Sequence, residues 1–366
     1  MRVGIFINTP AQFHFYKNIA GELEKRGNNV MMLFRKYGEI EDLVRELGYS
    51  AKIFSYHASS KYGKILSLPL DVVRAYRLLG DFKPDVITGF GVYDAYTSFL
   101  LGSRCVVFND SEPRVNPFSY SIQVKAYMPF VDTILTPDSF RDDLGSKHVK
   151  VSSYKELAYL HPNYYSPRGD ILDMLGMSKG EDYVVLRFNA FDAVHDAGIK
   201  GFTREDKIRL VRELEKHVRV FISAEGKVPK ELEKYLLPTP KSRIHDVLYY
   251  AKLLVTDTQT MATEAALLGT PVIRSNKFVG PNDMGNFIEL EERFGLMFNI
   301  RNPEDAISKA VELAQLPDIK KEWRKKREKL LREKIDITAF MVWFLENYPD
   351  SLYELRENPG IQYRFR

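Results

Sequence analysis

Apolar positions along this chain fall into short continuous runs separated by stretches with helical spacing, and the two kinds alternate from the first residues onward. Val3 to Ile7 predicts a strand, Phe15 to Arg26 an amphipathic helix ended by Gly27, and Val30 to Phe34 a second strand. Glu39 to Leu47 and Leu70 to Leu79 read as helices. Pro84 introduces a strand at Asp85 to Thr88, followed by a helix at Ala95 to Leu101 and a strand at Cys105 to Phe108. Val131 to Leu135 reads as the last strand of this series. The alternation predicts a parallel, doubly wound α/β lobe. From Val149 to Gly169, prolines and tyrosines follow no period, which locates the connection between domains there.

Tyr183 to Phe188 opens a second α/β series. It continues through a helix at Thr203 to Lys216, a strand at Val218 to Ser223, and helices at Pro229 to Tyr235 and Ile244 to Ala251. Next come the apolar run Leu253 to Val255, a helix at Met261 to Leu268 stopped by Gly269, and a strand at Pro271 to Ile273. Helices near Pro303 to Leu313, through Lys320 to Lys334, and from Thr338 to Asn347 complete the chain. No repeat or low-complexity tract interrupts it. The expected division is an N-terminal lobe over 1–160, a C-terminal lobe over 170–337, and a terminal helix and tail over 338–366 packing back on the first lobe. A length of 366 residues with 45% apolar content suits two such lobes.

Composition narrows the function classes. The single cysteine, Cys105, excludes an intramolecular disulfide framework and a cysteine-based zinc cluster, and fits a reducing compartment. A strand at Val3 to Ile7 leaves no room for a signal peptide, and no apolar run reaches membrane-spanning length, so the cytoplasm is the expected location. A formal charge of +4 against 28% charged residues does not predict a nucleic-acid partner. Most of the excess is local, in KKEWRKKREKLLREK at Lys320 to Lys334, where Glu322, Glu328 and Glu333 stand at helix-pairing distances. A solvated helix face is the plain reading of that segment; peripheral docking to an anionic membrane, near a lipid-linked acceptor, is the sharper one.

The segment richest in candidate chemistry is TDTQTMATEAALLGTPVIR, Thr256 to Arg274. Free N–H groups at a helix start bind anions, and Thr258, Gln259 and Thr260 lie at that start. Glu264 follows one turn later, where a carboxylate can hold the two hydroxyls of a ribose. A nucleotide diphosphate is the ligand this suggests, while a Thr260 cap on an ordinary core helix is the bland alternative. In open α/β sheets ligands bind beyond the carboxyl ends of strands, which directs attention to four loops. Asn8 to His14 lacks the G-x-G-x-x-G fingerprint, so no dinucleotide cofactor is expected in the first lobe; its His14 suits a phosphate, an acceptor or mere packing. Gly89 to Asp94, GFGVYD, has glycines that permit close approach to a ligand, or an Asp94 that caps a helix. Asn109 to Arg114 gathers Asp110, Glu112 and Arg114 at a strand end, as a site or as a structural ion pair. Asn189 to Gly201 carries Asp192, His195, Asp196 and Lys200, in which a histidine beside a carboxylate suits a general base. One histidine with two nearby acids is not a metal-ligand pattern, so no metal is expected.

Taken together, these loops make the chain resemble the GT-B superfamily of nucleotide-sugar enzymes. More closely, it resembles an uncharacterised family, a domain of unknown function with a GT-B-like fold. The residues carrying the closer match are His14 with Phe15, Lys83-Pro84-Asp85, DAVHDAGIKGFT at Asp192 to Thr203, VFISAEG at Val220 to Gly226, IHDVLYYA at Ile244 to Ala251, TQTMATEAALLGTPVIRSNKFVG at Thr258 to Gly280, and KIDIT at Lys334 to Thr338. The superfamily implies two Rossmann-like lobes with an interdomain cleft. Non-hydrolysing UDP-GlcNAc 2-epimerases carry D-S-G-G-x-x-E-E-A at the matching helix start. Asp257, Thr258, Glu264 and Ala265 stand at its aspartate, serine, second glutamate and alanine, whereas Gln259 and Thr260 replace the glycine pair. That resemblance implies diphosphate contacts at Thr258 to Thr260 and a ribose contact at Glu264. Glu112 falls near the glutamate of those epimerases' V-E-A-G-L-R turn, but Phe90 stands where the aspartate of their G-D-T turn belongs, and their H-R-R-E-N turn is missing.

The expected activity is therefore transfer of a sugar from a nucleotide-activated donor, a UDP-sugar first among them, to a glycan or lipid-linked acceptor. Thr258, Gln259, Thr260, Glu264, Arg187, Lys200 and His14 are the expected binding residues. Glu112, His195 and Asp196 are the expected acid–base residues, with no cofactor. Sugar-nucleotide 2-epimerisation and non-catalytic nucleotide-sugar binding are the alternatives.

Overall fold

The structure, a computed structural model, describes residues 1–37, 40–46, 48–56, 61–116, 119–178, 180–188, 202–224 and 228–366. The chain divides into two compact units, one of Met1–Tyr164 with Glu333–Arg366 and the other of Tyr165–Arg332. Each is built on a parallel sheet.

The first unit contains strands β1 (Arg2–Ile7), β2 (Asn29–Lys36), β3 (Ala51–Tyr56), β4 (Val86–Gly89), β5 (Arg104–Phe108), β6 (Thr133–Pro137) and β7 (His148–Val151). They lie in the order β3-β2-β1-β4-β5-β6-β7, with every pairing parallel. Strand order reverses between β1 and β4, so the crevice beyond their carboxyl ends is where this topology leaves room for a ligand. The helix Pro10–Lys25 that follows β1 begins with Thr9 capping the N–H of Gln12 and Pro10 in its first turn, then buries Phe13, Tyr16, Ala20 and Leu23 at helical spacing. It starts five residues before the apolar periodicity does, because cap and proline extend it into polar sequence.

Two strands of this sheet lie outside the apolar runs. β3 is only partly buried, with Phe54 and Ser55 in the interior and Lys52 and Tyr56 exposed, and β7 is a four-residue edge strand whose sequence, HVKV, is half polar. The region from Val149 to Gly169 is accordingly more ordered than its lack of period predicts: it holds part of β7 and the fully buried turn of helix Leu157–Leu160. Ala158 O accepts from Asn18 Nδ2 (2.8 Å) and Thr338 Oγ1 (2.9 Å), joining three helices of the unit. The KIDIT segment brings the chain back here. Lys334 is buried against Asp138 at 2.7 Å, and Asp336 caps the helix Ile337–Glu346 through the N–H of Ala339.

The second unit contains β8 (Tyr183–Phe188), β9 (Arg219–Ala224), β10 (Leu253–Thr256), β11 (Val272–Arg274) and β12 (Met297–Asn299), ordered β12-β11-β10-β8-β9. Pairings here are also parallel, and strand order reverses between β10 and β8. β10 and β11 are buried along their whole length, as expected of central strands covered on both faces. Among the described residues, no helix is long and apolar enough to cross a membrane.

Candidate functional site

The reversal between β8 and β10 places Arg187 at the strand end beside the segment from Thr256 to Glu264. Thr256, the last residue of β10, is in register with Arg187 on one side and Arg274 on the other. Arg274 is fully buried and belongs to the core: it pairs with Asp283, donates to Asn299 Oδ1 at 2.8 Å, and lies 3.7 Å from the Phe287 ring centroid. Arg187 is only half-buried and donates to Ser223 Oγ at 3.0 Å.

After β10 the chain makes a hydroxyl-stabilised turn. Thr256 Oγ1 accepts from the N–H of Thr258 (2.9 Å) and shares a hydrogen bond with its hydroxyl (2.8 Å). The helix Thr260–Leu267 then starts one residue earlier than the apolar pattern predicts. Its N-cap is Gln259, which makes no side-chain capping bond, and no acidic side chain occupies the first turn. Thr260 is thus a helical residue rather than the cap. Among the described residues, no protein group accepts from the N–H groups of Thr260, Met261 or Ala262, so the positive end of this helix is open for an anion.

Glu264 lies one turn further in and is 6% exposed, a costly position for a carboxylate without partners. His245 supplies one. Its Nε2 is 3.2 Å from Glu264 Oε1, it is 7% exposed, and it comes from the helix Ile244–Tyr250. Sequence reasoning passed over His245 although it lies in the IHDVLYYA segment; only the packing of two helices reveals its partner. Asp257 meets Lys207 at 3.6 Å, and its carbonyl accepts from Asn276 Nδ2 at 3.2 Å. The far end of the helix is fixed by the basic segment, which forms the helix Ile319–Glu333. Arg327 Nε donates to Leu267 O at 2.6 Å, and Lys320 Nζ to Thr270 Oγ1 at 2.6 Å and Tyr249 O at 2.7 Å. The Arg327 guanidinium at the helix C-terminus matches its dipole, whereas burial pushes the Lys320 amine well below the usual lysine range, so part of the basic segment serves the interior of this unit.

In the first unit, the reversal between β1 and β4 has a small depression of about 100 Å³, open to solvent. Its lining combines Gln12 from the loop and helix after β1, Phe90 after β4, Asn109, Asp110 and Ser111 after β5, and Tyr120, Gln123, Val124 and Tyr127 from the helix Ser119–Tyr127. Asp110 is ion-paired with Lys155, a buried amine that also lies 3.5 Å from Glu156. Burial opposes the charge on Lys155, but the two carboxylates outweigh it and raise its pKa.

Glu112, from the same loop, does not line this depression. It is 2% exposed, accepts from the N–H of Arg141 at 3.2 Å and lies 3.7 Å from Arg114 Nε, while Arg114 is itself held by Asp142 through two 2.9 Å bonds. These contacts tie the segment after β5 to the one after β6. His14 packs its ring against Tyr159, with centroids 5.1 Å apart. In the GFG turn, a Cβ on Gly89 would lie 2.6 Å from Asp94 Oδ2, and one on Gly91, whose φ is +97°, would lie 2.5 Å from the Tyr127 ring. Those glycines make room for the protein's own side chains. Phe90 packs among Phe15, Tyr16 and Phe108. His195, Asp196 and Lys200 lie outside the described residues. Among the described residues, no group of histidine, cysteine, aspartate and glutamate side chains is arranged to hold a metal.

The chain belongs to the family "Protein of unknown function (DUF354)", which it matches over residues 1–331. An uncharacterised protein of Methanocaldococcus jannaschii is 21% identical over 331 residues, covering 83% of this chain and 94% of that protein. Among solved structures, the UDP-GlcNAc 2-epimerase of Neisseria meningitidis bound to UDP-GlcNAc is similar in fold, with a TM-score of 0.66 at 11% identity over 97% of this chain and 100% of that one. The spinosyn rhamnosyltransferase SpnG is similar with a TM-score of 0.58 at 16% identity, over 95% and 100%. The chain thus has the two-sheet GT-B architecture found in glycosyltransferases and UDP-GlcNAc 2-epimerases.

Proposed function

We propose that the protein is a GT-B-type glycosyltransferase that uses a nucleoside-diphosphate sugar, a UDP-sugar by preference, as donor. The observation that carries this reading is the uncapped, acid-free start of the helix Thr260–Leu267, with the buried carboxylate of Glu264 one turn away. The N–H groups of Thr260, Met261 and Ala262 and the helix dipole stabilise the diphosphate, most strongly as it departs with the electron pair of the broken glycosidic bond. Glu264, oriented by His245, accepts hydrogen bonds from the ribose hydroxyls. Arg187 stands at the neighbouring strand end for the diphosphate, with Lys200 as a second cation.

The acceptor belongs to the first unit, where Asp110 is the carboxylate lining the depression after β5. Asp110 or His195, with Asp196 beside it, takes the proton of the acceptor hydroxyl as that oxygen attacks the anomeric carbon. Glu112, held by Arg114 and the Arg141 N–H, keeps the two loops in place.

Incubation with a panel of nucleotide sugars tests the reaction. Free nucleoside diphosphate should form only when a sugar or polyprenyl-phosphate acceptor is present. Isomerised sugar nucleotide without acceptor would move the assignment to 2-epimerisation, and tight binding without turnover to a binding protein. Glu264→Ala should weaken UDP binding about 30-fold or more by calorimetry, the loss expected for hydrogen bonds to a charged group. Unchanged binding would remove the donor site from this helix.

A further inference from the structure

The depression at the β1/β4 reversal has a lining unlike that of an anion site. Three amides (Gln12, Asn109 and Gln123) and three hydroxyls (Ser111, Tyr120 and Tyr127) line it together with Phe90, Val124 and one carboxylate, Asp110. Amides and hydroxyls both donate and accept, as the hydroxyls of a sugar require, and an aromatic ring suits the C–H face of a pyranose. Among the described residues, two polar atoms of the lining have no protein partner: Asn109 Nδ2 and the Tyr127 phenol oxygen, on residues 6% and 1% exposed. Buried donors without partners are rare, and a ligand is one reason to retain them. Both residues are firmly positioned. Asn109 Oδ1 accepts from the N–H of Ser111 at 2.9 Å, and the Tyr127 ring lies against the backbone of Gly91.

Charge favours a neutral ligand. The ammonium of Lys155, which meets the lining residue Asp110, is matched by Asp110 and Glu156 together, leaving a negative balance in that cluster that opposes a phosphate. We propose that this depression binds a neutral, polyhydroxylated sugar ring, so that the acceptor hydroxyl belongs to a carbohydrate rather than to a phosphate group. The inference deepens the transferase reading and rests on it for the word acceptor; the binding itself does not depend on the donor site.

Saturation-transfer NMR on the full chain without nucleotide tests it, using methyl glucoside and N-acetylglucosamine as neutral probes, and glucose 6-phosphate and geranylgeranyl phosphate as charged ones. The neutral sugars should receive magnetisation and compete with one another, and both phosphates should give weaker signals. Asn109→Leu and the exposed Gln123→Ala should each reduce the sugar signal about fivefold, the size of one lost hydrogen bond. Gln123→Ala carries the test if the buried variant fails to fold. Sugar signals unchanged in the folded variants, absent from the wild type, or weaker than those of the phosphates would overturn the proposal. UDP titration of the same samples separates the two readings: absent sugar binding with UDP bound sinks the sugar site alone, and sugar binding with no UDP affinity sinks the donor site alone.

Discussion

Each sheet has a strand, a turn and a helix start at the reversal of its strand order, and the two are filled differently. After β4, the helix Tyr93–Leu101 carries its own anion. Asp94 is completely buried in its first turn, and Oδ2 accepts from the N–H of Gly91 at 2.9 Å. After β10, the helix Thr260–Leu267 has no acid in its first turn and no capping side chain. The glycines lie in the first turn, where they admit Asp94 and Tyr127, and not in the second, where the open N–H groups are. Openness of the second helix start therefore follows from which of its groups remain unsatisfied, while the glycines of the first turn make room for the protein's own side chains.

The sharpest way to break this comparison is to fill the space the first turn reserves. Gly91→Ala places a Cβ within 2.5 Å of the Tyr127 ring at a φ of +97°, combining overpacking with a backbone conformation unsuited to L residues. The expected loss is roughly 4 kcal/mol of stability, read from urea unfolding, or failure to accumulate folded protein. A loss under about 1 kcal/mol would mean that the turn has slack, and that its glycines are free to admit a ligand after all.

The carboxylate in that turn has a pH signature. Burial raises the pKa of Asp94 from 3.8 to about 6, against the opposing effect of N–H groups at Gly91, Asp94 and Ala95. Because the folded state holds a proton that the unfolded state releases from about pH 4 upward, the associated stability is present in full below pH 3.8 and is lost as pH rises through 6. Asp94→Asn, which cannot ionise, should therefore gain on the wild type by up to about 3 kcal/mol between pH 4 and pH 7. Parallel pH profiles would show that Asp94 is solvated or paired by other means.

Much of this was legible in the chain itself, and the exceptions have physical causes. Central strands such as β10 are buried on both faces, so their apolar runs are visible at once; β3 and β7 lie at the ends of the sheet order, where half-polar sequence hides them. Glu264 and the turn before it stood out because a charge and three hydroxyls near a helix start are chemically conspicuous. His245, fifteen residues before Thr260, gains meaning only from helix packing. The amides of the first-unit depression were passed over because Gln12, Asn109 and Gln123 are neutral and come from three separate segments, whereas the acidic cluster around Glu112 drew notice and forms a loop tie.

The smallest expected effect on stability is the most discriminating for function. Gln259→Asp would give the helix after β10 the built-in anion that the helix after β4 already has. A carboxylate at the helix start complements the dipole and the nearby free N–H groups, so the variant should be more stable by about 0.5 kcal/mol. If those N–H groups hold the donor diphosphate, the same carboxylate competes with it for donors and adds like-charge repulsion, and UDP affinity should fall at least tenfold while the protein becomes harder to unfold. Stability and affinity moving in opposite directions would identify the first turn as the anion site, because damage to the fold would lower both. A stabilised protein with undiminished UDP affinity would place the diphosphate elsewhere on the second unit and leave the helix start as an uncapped end with no ligand of its own.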